Sequence, residues 1–61
     1  MPEIIVHAVA GRTPEQKKGL MADITEAVVK NFGISKDKVT VSIIETPPQH
    51  KMKDGVLYSE R

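Results

Sequence analysis

One long amphipathic segment lies between two short runs of β-branched residues, and this order most constrains the fold. Thr13 before Pro14, with Gln16 three residues after the Thr, gives an N-cap, a first-turn Pro and a capping box. Apolar residues then recur at helical spacing, at Leu20, Ile24, Ala27, Val28 and Phe32, with Met21 beside them. Gly33 stands where a left-handed C-cap is expected. The sequence therefore predicts a helix from about Pro14 to Phe32.

The runs on either side of this helix have the composition of strands. Residues 3 to 9, Glu-Ile-Ile-Val-His-Ala-Val, are rich in β-branched side chains and stop at a turn signal, Ala10-Gly11. Residues 39 to 45 alternate apolar and hydroxyl side chains, which is the period of a half-buried strand. A strand, a long helix and a second strand predict a βαβ unit with parallel strands and a right-handed crossover.

The last segment, residues 50 to 61, contains Asp54-Gly55 between short apolar stretches and predicts a small hairpin. The predicted fold class is α+β, a βαβ unit with a short C-terminal hairpin. The absence of a linker, a repeat or a low-complexity tract predicts a single domain over residues 1 to 61.

The size of this domain predicts association with further copies. A chain of 61 residues without cysteine has a marginal core and no disulfide or thiolate metal site to reinforce it. Two strands with one helix are not independently stable in water. The first strand is apolar on both faces, and a single helix covers only one of them. We therefore expect a homo-oligomer that extends the sheet and buries the uncovered face.

Composition sets several classes of function aside. A formal net charge of +1 lacks the basic excess of a nucleic-acid-binding protein. No stretch approaches the roughly 20 apolar residues of a membrane span, so we expect no membrane partner and a cytoplasmic location. Two histidines without cysteine or clustered carboxylates predict no metal site, and no Gly-rich phosphate loop is present.

Pro2 is the candidate catalytic residue. Removal of the initiator Met1 would leave a secondary amine at the start of a buried strand. Burial in an apolar pocket and nearby positive charge lower the pKa of such an amine, so that an uncharged base exists at neutral pH. From position alone, however, Met-Pro is more often merely a common beginning.

Arg12 is the candidate for holding a substrate carboxylate. It follows Gly11, close to the N-terminus of the predicted helix, where backbone N–H groups add positive potential. The alternative is a solvated loop arginine. His7 is better interpreted as a packed or interface histidine, and surface charge is the simpler reading of His50, Lys51 and Lys53.

Taken together, Pro2, Gly11-Arg12-Thr13, Glu15-Gln16-Lys17 and the βαβ layout resemble the 4-oxalocrotonate tautomerase family. The resemblance runs from Pro2 to the C-terminus without a gap. It implies a hexamer built as a trimer of dimers, with prolines in pockets between subunits, and a cytoplasmic role in aromatic catabolism. It also implies a mechanism without cofactor. Pro2 would be the general base that moves a proton as an enol rearranges, and Arg12 of a neighbouring subunit would bind the substrate carboxylate.

Two positions depart from the family pattern. Members carry a second Arg just inside strand two and an aromatic residue in the terminal segment, and these positions fall on Thr40 and Lys51 here. Thr40 and Lys51 are therefore substrate-binding candidates together with Arg12. Lys51 or Lys53 is the candidate to supply the lost positive charge, and Tyr58 the lost aromatic wall.

Three functions remain open from the sequence. The first is a tautomerase that acts on a small unsaturated oxo-acid, a 2-hydroxydienoate in its enol form. The second is a family member that keeps the oligomer and the pocket but binds a small carboxylate without useful turnover. The third is a structural or protein-interaction module.

Overall fold

The structure, a computed structural model, describes residues 2–61, and Met1, whose removal the catalytic hypothesis requires, lies outside the described residues. The elements in chain order are β1 (Glu3–Val9), α1 (Pro14–Phe32), β2 (Thr40–Thr46), β3 (Met52–Lys53) and β4 (Val56–Leu57). Single 3₁₀ turns lie at Lys36–Lys38, Pro48–His50 and Tyr58–Glu60. The predicted α+β class, a βαβ unit followed by a short hairpin, is confirmed.

The two long strands pair in parallel, as predicted, from Glu3 beside Thr40 to Val9 beside Thr46. The ladder continues past both ends of β1. The Thr40 N–H donates to the carbonyl of Pro2 at 3.1 Å, and the Ala10 N–H donates to the carbonyl of Thr46 at 2.9 Å. The whole of β1, together with the residue on each side of it, is therefore held by β2.

The second strand begins one residue later than the predicted start at Val39 and ends one residue later, at Thr46. The reason lies in the preceding 3₁₀ turn. The Val39 N–H donates to the carbonyl of Lys36 at 3.1 Å and closes that turn, and the ladder to β1 starts with the Thr40 N–H.

Helix α1 has the bounds that its capping residues predict. The Thr13 side chain accepts from the Gln16 N–H at 3.1 Å, and the Gln16 side chain accepts from the Thr13 N–H at 3.0 Å. This capping box satisfies backbone donors that the first turn leaves without partners. At the other end, Gly33 adopts φ 67°, and its N–H donates to the carbonyl of Val29 at 3.0 Å.

Strands β3 and β4 form the predicted antiparallel hairpin, with Met52 opposite Leu57 and Lys53 opposite Val56. Asp54 and Gly55 connect them with φ 55° and 76°. Positive φ at both central residues is the type I′ geometry that matches the twist of the flanking strands. We call residues 47 to 61, which contain this hairpin, the C-terminal arm.

Helix α1 covers one face of the sheet and leaves the other open. On the covered face, Val6 and Ile43 are half-buried, whereas on the open face Ile5 is 49% exposed and Ile44 is 48% exposed. Among the described residues 2–61 none is fully buried. A lone chain therefore has no closed core.

The dimensions of the chain agree with the absence of a closed core. Its accessible surface is 4748 Å², against about 3,900 Å² for a folded monomer of the same mass. Its radius of gyration is 14.4 Å, against roughly 10.5 Å for a compact domain of this length. The chain thus exposes the apolar surface that association with further copies would cover. Within residues 2–61, no helix has both the length and the apolar character needed to cross a membrane.

Candidate active site

Pro2 and Thr40, two of the predicted site residues, are neighbours at the amino ends of the parallel strands. Pro2 is half-buried directly before β1, and its carbonyl oxygen accepts from the Thr40 N–H at 3.1 Å. The Thr40 backbone donor is thereby used in the sheet, while its side chain is exposed. The hydroxyl is the group that Thr40 can offer to a small molecule beside Pro2.

Arg12 lies at the opposite end of β1 from Pro2. The strand between them has seven residues and, at about 3.3 Å per residue, a length of roughly 23 Å. The Arg12 side chain cannot span that distance. A site that uses both groups therefore requires Pro2 from one copy and Arg12 from another.

The backbone on both sides of Arg12 is fixed by local chemistry. Gly11 adopts φ 136°, a conformation that residues with a side chain rarely adopt. Thr13 is locked by the capping box with Gln16, and the Ala10 N–H is tied to β2. Arg12 itself is exposed, on a backbone that its neighbours hold in place.

A cavity of about 210 Å³ lies where the first turns of α1 cross the carboxyl ends of β1 and β2. Its apolar lining comes from Val6, Ala8, Val9, Leu20 and Ile43. Its polar lining comes from Arg12, Gln16, Lys17 and Glu45. Arg12 thus borders a mostly apolar space that contains further charged groups.

An ion pair joins two of these charged groups. Lys17 Nζ lies 2.8 Å from Glu45 Oε1, with the two side chains 29% and 30% exposed. This pair is not among the interactions that the sequence predicts. A signal was present, because the apolar alternation of Val41 and Ile43 continues onto Glu45. Alternate residues of a strand share a face, so Glu45 lies on the face of β2 that α1 covers.

Lys51 and Tyr58 are brought together in the C-terminal arm. Lys51 Nζ lies 5.8 Å from the centre of the Tyr58 ring, and the Lys51 carbonyl accepts from the Tyr58 N–H at 2.8 Å. The Arg61 guanidinium lies 5.1 Å from the same ring. Arg61 also donates to the carbonyl of Lys53 at 2.7 Å. These distances are within reach of cation–π attraction.

The arm follows the carboxyl end of β2, which is the end remote from Pro2. The structure therefore places Pro2 with Thr40, Arg12 with the cavity, and Lys51 with Tyr58, as three separate groups in one chain. His7 is exposed on the open face of the sheet, and His50 is exposed in the arm. Across residues 2–61, no group of three or more His, Cys, Asp or Glu side chains is arranged to hold a metal ion.

These features define a class of small βαβ proteins in which a proline stands directly before the first strand and one face of the parallel sheet is left open. A family model described as "Tautomerase enzyme" matches residues 2–61. The chain belongs to the tautomerase family. Membership of this family supports an isomerase activity.

Individual relatives agree over the full length of the chain. A protein of Bradyrhizobium diazoefficiens named as a probable tautomerase is 54% identical over 61 residues, covering 100% of this chain and 91% of the relative. A 2-hydroxymuconate tautomerase of Bacillus subtilis is 42% identical over 60 residues, covering 98% and 97%. The solved structure of a heterohexamer 4-oxalocrotonate tautomerase from Chloroflexus aurantiacus is 28% identical, with a TM-score of 0.90 and coverage of 98% and 97%. The resemblance to 4-oxalocrotonate tautomerases is therefore confirmed.

Proposed function

We propose that the protein is a cofactor-independent tautomerase that converts a 2-hydroxydienoate into the corresponding oxo-enoate. The Pro2 amine, freed by removal of Met1, is the general base, and Arg12 of a neighbouring copy binds the substrate carboxylate. Membership of the tautomerase family and the likeness to a 2-hydroxymuconate tautomerase support this reaction and this class of substrate.

The observation that carries the proposal is the hydrogen bond between Thr40 and Pro2. Because the Pro2 carbonyl oxygen is held in the sheet at 3.1 Å from the Thr40 nitrogen, the residue that carries the ring nitrogen is anchored at the end of β1. An uncharged secondary amine there can accept the proton that leaves the enol and return it to a carbon of the same molecule. The base is regenerated, so neither an oxidant nor a cofactor is consumed.

Arg12 has the chemistry to hold the carboxylate. A guanidinium offers two parallel N–H donors to a carboxylate, and the N-terminus of α1 adds positive potential beside it. Because Arg12 and Pro2 lie at opposite ends of β1, the complete site needs at least two copies.

We extend the proposal to a hexamer, a trimer of dimers. In this hexamer each chain forms one domain over residues 1 to 61. The exposed Ile5 and Ile44, the absence of fully buried side chains among residues 2–61, and the heterohexameric relative support it.

Thr40 and Lys51 complete the proposed site with weaker chemistry than their family counterparts. A Thr hydroxyl gives one neutral hydrogen bond where an Arg gives a charged fork, a difference of about 1 to 2 kcal/mol in transition-state stabilisation. Lys51 with Tyr58, presented by the arm of another copy, is proposed to supply positive charge and an aromatic wall. We therefore expect slow turnover.

A second function, binding of a small carboxylate without useful turnover, is favoured by Thr40 alone. Its backbone donor is used by Pro2 and its side chain carries no charge, so carbonyl polarisation would rest on other groups. Retention of Met1 in natively produced protein would favour this second function, because an amide nitrogen is not a base.

The test is an ultraviolet assay of 2-hydroxymuconate conversion on protein whose intact mass has been measured. We expect a species lighter by one Met residue, and we expect Pro2→Ala, which leaves a primary amine in place of the secondary one, to lower the rate by up to about 10²-fold, the lower end of what a positioned general base contributes. Wild-type rates in the Pro2→Ala variant would remove Pro2 from the mechanism.

A further inference from the structure

The polar lining of the cavity contains two cations and one carboxylate. Arg12 and Lys17 are the cations, and Glu45 is the carboxylate. Glu45 is paired with Lys17 at 2.8 Å. Within residues 2–61, no ion pair of Arg12 is found.

The pairing of Glu45 with Lys17 is not the pairing that a carboxylate prefers on geometric grounds. A carboxylate binds a guanidinium through two parallel hydrogen bonds, whereas an ammonium group offers a single point of charge. Glu45 borders the same small cavity as Arg12, and the Arg12 side chain is exposed. If Lys17 did not hold it, the Glu45 carboxylate would be an internal competitor for the guanidinium.

We propose that Lys17 is a positioning residue, which holds the Glu45 carboxylate and so leaves the Arg12 guanidinium to a carboxylate ligand. The inference rests on the proposed function, in which Arg12 binds the substrate carboxylate. It goes further because it assigns roles to Lys17 and Glu45 and predicts different effects on ligand binding when each is replaced. Removal of the Lys17 charge harms ligand binding, and removal of the Glu45 charge does not.

A purely structural pair would behave differently. Lys17 lies on α1 and Glu45 on β2, so the ion pair also joins the helix to the sheet. In that role, loss of either partner has the same small effect, because a pair that is nearly one third exposed is screened by solvent. The asymmetry between the two single variants separates positioning from structural support.

The probe is muconate, which has the two carboxylates of 2-hydroxymuconate but no enol hydroxyl and cannot tautomerise. Its dissociation constant is measured by calorimetry for the wild type, Lys17→Gln, Glu45→Gln and the double variant. We expect Lys17→Gln to weaken binding by about two- to fivefold, the range of a partly exposed ion pair that forms with Arg12. We expect Glu45→Gln and the double variant to bind as tightly as the wild type.

Three controls complete the experiment. Lys18→Gln removes an exposed neighbouring charge that does not line the cavity, and it should leave binding unchanged. Lys17→Arg keeps the charge and should bind as the wild type does. In an Arg12→Ala background, Lys17→Gln should have no further effect, because the group for which Glu45 competes is gone.

Wild-type affinity in Lys17→Gln, or a double variant as weak as Lys17→Gln, would overturn the assignment, and so would a wild-type chain that does not bind muconate. The proposed catalysis fails by a different result, namely turnover that does not depend on Pro2. Since muconate binding involves no proton transfer, the two outcomes are independent.

Discussion

The carbonyl oxygen of Pro2 accepts a hydrogen bond from the backbone N–H of Thr40 at 3.1 Å, which joins the proposed base to the position where the family pattern has a second Arg. The two residues are 38 positions apart in sequence, and only the parallel register of β1 and β2 makes them neighbours. A substitution at Thr40 therefore acts directly beside the proposed base.

Replacing Thr40 by Arg should raise the rate of 2-hydroxymuconate conversion. The variant restores a charged donor beside Pro2, and the gain of about 1 to 2 kcal/mol corresponds to roughly a five- to thirtyfold increase in kcat. Steady-state kinetics measure the change. Ala22→Arg, which adds the same charge at an exposed position of α1, is the matched control and should leave kcat as it is. A Thr40→Arg enzyme no faster than the wild type would remove this position from carbonyl polarisation.

Replacing Arg12 by Ala should chiefly raise KM. Arg12 is proposed to hold the carboxylate in the ground state and the transition state alike, so its loss weakens binding more than it slows the chemical step. Saturation curves with 2-hydroxymuconate measure the effect. An unchanged KM would mean that Arg12 is a solvated loop residue that does not contact the substrate.

Mixing two impaired variants should recover activity if the site is shared between copies. Chains with Pro2→Ala and chains with Arg12→Ala, unfolded and refolded together, would form about one quarter of their sites from an intact Pro2 and an intact Arg12 under random assortment. The rate at low substrate concentration should then exceed that of either variant refolded alone. A mixture no more active than the average of its components would mean that the two residues do not share a site.

Replacing Thr13 by Ala should lower the free energy of unfolding by about 1 kcal/mol, because it removes the oxygen that caps α1. Urea denaturation at a fixed protein concentration measures the loss. The control is Thr25→Ala, whose hydroxyl bonds to the Met21 carbonyl inside the helix at 2.8 Å and relieves no unpaired N–H. Equal losses in the two variants would show that the capping box is not a special source of stability.

Replacing Ile44 by Asp should reduce association. Ile44 is 48% exposed on the sheet face that α1 leaves open, and a carboxylate there could not be buried against another copy without a large desolvation cost. Sedimentation velocity should show smaller species than the wild type, with loss of turnover. Ala22→Asp on the exposed side of α1 is the control. An Ile44→Asp chain with the wild-type sedimentation coefficient would exclude this face from the interface.

The elements that could be predicted from the sequence are those fixed by local chemistry. The bounds of α1 follow from Thr13, Gln16 and Gly33, whose capping interactions are made within a few residues of one another. The hairpin follows from Asp54-Gly55, which tolerates positive φ. The predicted start of β2, Val39, was wrong by one residue because Val39 still closes a 3₁₀ turn. That turn has no strong signal of its own in the sequence.

The candidate site was harder to predict because its parts are joined through the sheet. The Lys17–Glu45 pair depends on the register that sets Glu45 opposite Ala8 on the covered face. The resemblance implied that Arg12 acts from a neighbouring subunit. The geometry gives the physical reason for that expectation, since the length of β1 keeps Arg12 away from Pro2 of its own chain. The catalytic roles of Pro2, Arg12, Thr40 and Lys51 stay predictions.

The separation of Pro2 and Arg12 by the length of β1 has a consequence for dosage. If each site draws on more than one molecule, halving the amount of chain near the dissociation midpoint removes more than half of the activity, because dissociated molecules contribute nothing. Specific activity would then fall when the protein is diluted and rise when it is concentrated. The activity per molecule measured in extracts of weakly expressing cells would be lower than that in extracts of strongly expressing cells.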